Sequence, residues 1–171
     1  MKTSQNFGLF YFMLTAVQII ICNCFYLSAY VTLSILPVMV LCMPASWKTV
    51  PAMLTAFVTG LAVDLLGEGL MGINALALVP VALLRKPVVQ AIFGKDLIER
   101  EEDFSFRKYG AGKISLAVLI MQSIFLLIYI VADGAGTRPF WFNAARFGAS
   151  LAAGYVLAMT VAKVLLPEDR K

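Results

Sequence analysis

A chain of 171 residues that is 61% hydrophobic and only 14% charged is too apolar for a soluble domain, where charged residues run near 25%. Its net charge of +4 is spread between apolar segments, a pattern of membrane topology that sets nucleic-acid binding aside. The chain has no histidine, which excludes imidazole acid–base chemistry and His-ligated metal.

In chain order, Lys2 precedes an apolar run that resembles a signal peptide. The run continues to about Tyr26 without an A-x-A-like cleavage site, and Ile20-Ile21 before Cys22 are too large for lipoprotein processing, so an uncleaved first helix is expected. From Thr3 to Trp47 there are 45 residues with no Asp, Glu, Lys or Arg. One bilayer crossing needs about 20, so this run predicts two helices, over 7–26 and 29–45, the second carrying Pro37 and ending near Pro44. A third span over 50–66 and a short fourth over 70–84, with Pro80 inside it, are separated by Gly67-Glu68-Gly69. Short or interrupted spans survive in a membrane only where neighbouring protein re-satisfies the backbone.

The longest polar stretch is 85–112. After Pro87, Val88, Val89, Ile92, Phe93 and Leu97 recur at helical spacing, predicting a short helix on the inner leaflet. The charged run Glu99-Arg100-Glu101-Glu102-Asp103, followed by Arg107 and Lys108, is either a solvated connector or a docking surface for a cytoplasmic partner. Spans over 113–132 and 140–166 complete the chain. The expected fold is one all-α integral membrane domain, 1–171, with six transmembrane helices and a cytoplasmic interfacial helix between the fourth and fifth. With the N-terminus inside, 12 of the 14 Lys and Arg residues face the cytoplasm and only Arg138 and Arg146 lie outside.

Asp64 is the most informative residue. A carboxylate at the centre of a membrane helix costs roughly 2.5–3.5 kcal/mol on insertion scales, so it normally faces protein or a polar cavity. Ala52, Ala56, Gly60 and Asp64 follow one another at i+4 and form one helix face, whose small residues admit close approach by another helix. The last span repeats the device with Ala145, Ala149 and Ala153 in one row and Ser150, Gly154, Ala158 and Ala162 in a second. Arg146 and Asp64 are both expected in the outer half, which predicts an ion pair between them, with Arg138 as the alternative partner. Cys22, Cys24 and Cys42 read as apolar packing residues. No nucleophile–base set, Walker loop or paired carboxylate is apparent, so no catalytic residue, metal or cofactor is expected.

The run Phe57-Val-Thr-Gly60-Leu-Ala-Val-Asp64-Leu-Leu-Gly67, continued by Gly72-Ile-Asn74-Ala75-Leu76, resembles the signature of the MreD family of bacterial rod shape-determining membrane proteins. The resemblance rests on the Gly-to-Asp spacing, the Gly72…Ala75-Leu76 tail and, more loosely, on length, Pro37 and Arg138-Pro139 before the last span. It implies a non-enzymatic scaffold of lateral cell-wall synthesis in the cytoplasmic membrane. Such proteins associate with MreC, and through it with MreB filaments, a RodA-type glycosyltransferase and a penicillin-binding transpeptidase. Together the helix face, the expected ion pair and this resemblance mark as structural or partner-binding Ala56, Phe57, Gly60, Asp64, Gly72, Asn74, Arg138 and Arg146. The family's likeness in fold to the substrate-binding subunits of energy-coupling-factor transporters supplies the rival reading, in which the Asp64 face lines a small-molecule pocket.

Overall fold

The computed structural model describes residues 3–24, 31–44, 46–69, 72–94, 110–134 and 138–165. These form α1 (Thr3–Cys24), α2 (Leu36–Leu41), α3 (Thr49–Val63) continued by a π turn (Asp64–Glu68), α4 (Ile73–Phe93), α5 (Ala111–Gly134) and α6 (Phe140–Leu165), with no strand among the described residues. Four segments, Thr49–Gly67, Ile73–Phe93, Ala111–Gly134 and Phe140–Leu165, are long and apolar enough to cross a membrane, and α1 holds a shorter apolar stretch, Gly8–Asn23. Large apolar side chains such as Phe12, Leu54, Val58, Leu127 and Val131 point outward while Met39, Leu78, Met121 and Phe125 fill the core. Helices that are apolar on every side are those of a chain solvated by lipid.

Side-chain contacts fix the helix directions. Tyr11 meets Thr59 and Asn23 meets the Leu66 carbonyl, so α1 and α3 run the same way. Gly60 lies against Ala75 and Asp64 against Gly72, so α4 runs back along α3, its most extensive neighbour. Asp133 bonds Arg146, and Gln122 lies beside Gly154, so α6 runs back along α5. Asp64, Asp133, Arg138 and Arg146 thereby gather toward one end of the bundle, called here the Asp64 end. Lys48, Lys86, Lys113 and Lys163 lie toward the other.

Three expectations are corrected. The second span is not a continuous helix: residues 31–35 are non-helical and α2 is only six residues long, buried throughout. Proline sits in the first turn of a helix without loss, but its ring clashes with the carbonyl four residues earlier, so Pro37 opens α2 and stops it from extending back through Leu33. The fourth span does not end at Leu84, because α4 continues through both Pro80 and Pro87 to Phe93. Val88, Val89, Ile92 and Phe93, assigned above to a separate interfacial helix, are the last turns of α4, with Val89 buried in the bundle. The charged run 99–103, with Arg107 and Lys108, lies outside the described residues. The other helices stand within a few residues of their expected bounds: 50–66 against Thr49–Val63 and its π turn, 113–132 against Ala111–Gly134, and 140–166 against Phe140–Leu165.

Candidate functional site

Beyond the π turn, the α3 chain reverses through two glycines in the left-handed region, Gly69 at φ 67° and Gly72 at φ 94°, a conformation side chains other than glycine rarely accept. The Gly69 N–H closes the turn on the Asp64 carbonyl at 2.8 Å, and Gly72 caps α4. This reversal sets the first turn of α4 over the fully buried Asp64 side chain. Oδ2 accepts from the backbone N–H of Gly72 at 3.0 Å and of Ala75 at 3.2 Å, while Oδ1 accepts from the N–H and the Nδ2 of Asn74, both at 3.0 Å. The N-terminal N–H groups of a helix lack intrahelical partners and carry about half a positive charge between them. Asp64 satisfies three of these backbone donors at once, and they compensate its charge. The predicted ion pair with Arg146 is therefore not formed: the positive partner of Asp64 is a helix end rather than a guanidinium.

Gly60 makes the approach possible. A Cβ there would stand 2.5 Å from the Ala75 Cα and 2.6 Å from its nitrogen, closer than any real contact, so only glycine lets the two backbones meet one turn before Asp64. Ala52 and Ala56 continue the face, both fully enclosed, whereas Phe57 turns outward. Of the residues marked by sequence, Ala56, Gly60, Asp64, Gly72 and Asn74 thus meet in one joint between α3 and α4. Phe57, Arg138 and Arg146 stand outside it.

A second polar arrangement surrounds residues 31–44. Gln18 grips the unwound chain at two points, its Oε1 accepting from the Ile35 N–H at 2.8 Å and its Nε2 donating to the Leu33 carbonyl at 3.1 Å. That carbonyl is the one Pro37 excludes from a helix. Gln122 donates from Nε2 to the Ser34 carbonyl at 3.2 Å, and Gly154 leaves room for it, since a Cβ there would lie 2.6 Å from Nε2. The Ser150 hydroxyl accepts from the Thr32 N–H at 2.8 Å. At the far end of α2, Arg85 donates from Nε to the Leu41 carbonyl at 3.2 Å and from NH2 to the carbonyls of Met43 and, at 3.1 Å, Pro44. Arg85 was expected to begin the cytoplasmic segment. It is instead buried within α4, because the carbonyl end of α2 gives a cation both acceptors and a negative dipole. The segment therefore traverses the bundle from the level of Arg146 to that of Arg85, each unwound stretch held by side chains of other helices.

At the Asp64 end, Asp133 Oδ2 accepts from Arg146 NH1 and, at 3.0 Å, from Arg138 NH1. Arg146 also donates from NH2 to the Thr32 hydroxyl at 2.9 Å and lies 5.8 Å above the Tyr129 ring. Gln18, Gln122 and Arg85 were not singled out as site residues by sequence, and Ser150 only as a small packing residue. The available signal was two glutamines inside apolar runs, Gln18 and Gln122, and separately Thr32 and Ser34 just before Pro37. Cys22 and Cys42 are free thiols, and no metal-ligating cluster occurs among the described residues. The chain matches no family model, no curated protein and no solved structure.

Proposed function

We propose that this chain is a non-enzymatic scaffold of the bacterial cell-elongation machinery, resembling MreD, in the cytoplasmic membrane with both termini inside. The observation that carries the reading is the joint. The motif residues Gly60, Asp64, Gly72, Asn74 and Ala75 act on one another's backbones, as suits a protein whose task is to hold a rigid shape for others to bind. Its proposed partner is an MreC-like single-span protein. Through that partner it would connect with MreB filaments, a RodA-type glycosyltransferase and a penicillin-binding transpeptidase. The gathering of the described lysines toward one end supports the orientation, since basic residues favour the cytoplasmic side. Depletion in a rod-shaped host tests the reading: cells should round or widen while the membrane stays intact, and cells that keep their width would overturn it.

One observation favours the rival, a substrate-binding subunit of a small-molecule transporter. Gln122 Oε1 and Arg146 Nε are buried without hydrogen-bond partners beside the unwound stretch 31–35. Transporters place ligands against such interrupted segments. That reading predicts unchanged shape on depletion, with growth becoming dependent on an added nutrient.

A further inference from the structure

Among the described side chains, two guanidinium groups share one carboxylate at the Asp64 end, and their charges do not cancel. Arg138 and Arg146 both donate to the same oxygen, Asp133 Oδ2, leaving one unit of positive charge in excess. Arg146 has both terminal nitrogens engaged, NH1 on Asp133 and NH2 on Thr32, lies over the Tyr129 ring, and keeps its one unpaired nitrogen, Nε, buried. Arg138 is not. Its side chain is 36% exposed, its hydrogen bonding among the described residues is the single contact with Asp133, and its guanidinium carbon lies over the Phe142 ring, 5.5 Å from the centroid. The other described carboxylate side chain, that of Asp64, is enclosed by its own donors. Asp133 thus holds the guanidinium at NH1 beside the Phe142 ring, and its Nε and NH2 donate to no described residue, leaving these donors for an anion.

The level of Arg138 in the bundle indicates where that anion comes from. Pro139 follows it, and α6 begins with Phe140 and Trp141, which are 78% and 82% exposed. Exposed aromatics at the mouth of a membrane-length helix mark the headgroup layer, and an arginine fork there matches two phosphate oxygens. We infer that Arg138 binds the phosphate of an anionic lipid headgroup, one that no headgroup ammonium neutralises, as a fixed lipid site at the Asp64 end of α5 and α6. The inference depends on the chain spanning a membrane and stands apart from the scaffold reading.

Tryptophan fluorescence tests it, because the chain has only two tryptophans. In a Trp47→Phe background Trp141 reports alone. The protein is purified in zwitterionic nanodiscs and titrated with phosphatidylglycerol carrying a quencher next to its headgroup, then with phosphatidylcholine carrying the same quencher. One basic residue at a charged lipid surface contributes about fivefold in affinity. Arg138→Gln should therefore raise the phosphatidylglycerol level needed for half quenching by about fivefold, with Arg138→Lys in between, because it keeps the charge and loses the fork. Phosphatidylcholine quenching should not depend on residue 138. Equal phosphatidylglycerol titrations for Arg138 and Arg138→Gln would overturn the site. If inorganic phosphate abolishes the difference at concentrations that leave bulk lipid binding intact, the site takes free anions and the lipid assignment fails. Unchanged quenching with loss of a co-purifying membrane protein in Arg138→Gln would overturn it in favour of a protein carboxylate.

Discussion

Asp64 is matched by peptide N–H groups and Arg146 by a carboxylate and a hydroxyl, so the two buried charges have no partner in common. A double-mutant cycle should register this. Asp64→Ala strands several donors, at about 1–3 kcal/mol per buried group left unpaired, and should lower the thermal midpoint by several degrees. Combined with Arg146→Ala, the losses should add to within about 0.5 kcal/mol. The Asp133→Ala and Arg146→Ala pair should instead be strongly non-additive, because removing either partner leaves the other charge buried. Additivity in the second pair, or coupling in the first, would contradict the assignment. Gly60→Ala is a second probe: its Cβ would overlap the Ala75 backbone, and overpacking of this kind costs about 1–3 kcal/mol. Gly8→Ala, where a Cβ meets nothing within 4 Å, should not lower the thermal midpoint, since alanine also favours the α1 helix by up to about 1 kcal/mol. The sequence made Asp64 and Gly60 conspicuous, and the Gly60 face is indeed a packing face, toward α4. It did not reveal what neutralises Asp64, because side-chain charges can be read from letters and a helix end swung over a carboxylate cannot.

Residues 31–44 show the same division at the scale of an element. Pro37 was visible as an interruption, but Pro80 and Pro87 look no different in sequence and lie inside an unbroken α4. What distinguishes the stretch before Pro37 sits on other helices: Gln18 on α1, Gln122 on α5 and Ser150 on α6 receive the groups that a helix would have paired. Arg85 likewise read as the edge of a membrane span because its acceptors, the carbonyls closing α2, are more than 40 residues away in sequence. The two glutamines should not be equivalent. Gln18 uses both ends of its amide on the chain, whereas Gln122 uses only Nε2 and buries an unpaired Oε1. Gln18→Leu should lower thermal stability by about 2–4 kcal/mol, since it strands a donor and an acceptor together. Gln122→Leu should cost clearly less, because it also removes an unsatisfied group. Equal losses would show that the unwound stretch is not held in this way.

For the whole molecule, hydropathy was enough to find the long helices, because a membrane-length apolar run depends on composition alone. The path of residues 31–44 leads along the bundle between α1 and α3, which run the same way, as the proposed even number of crossings requires. On the proposed orientation, reporter fusions at Lys171 and near Asp103 should both report cytoplasm, and a signal from the opposite side at either position would contradict that topology. The scaffold reading makes its own demand, namely a stable companion. The most direct measurement is to purify the tagged chain from native membranes in mild detergent and identify what accompanies it. The account predicts a single-span protein with a large domain outside the membrane, retained by the wild type and lost when Gly60→Leu disrupts the α3–α4 joint. Recovery of an ATPase with its membrane coupling subunit, in place of that single-span partner, would contradict the scaffold and establish the transporter reading.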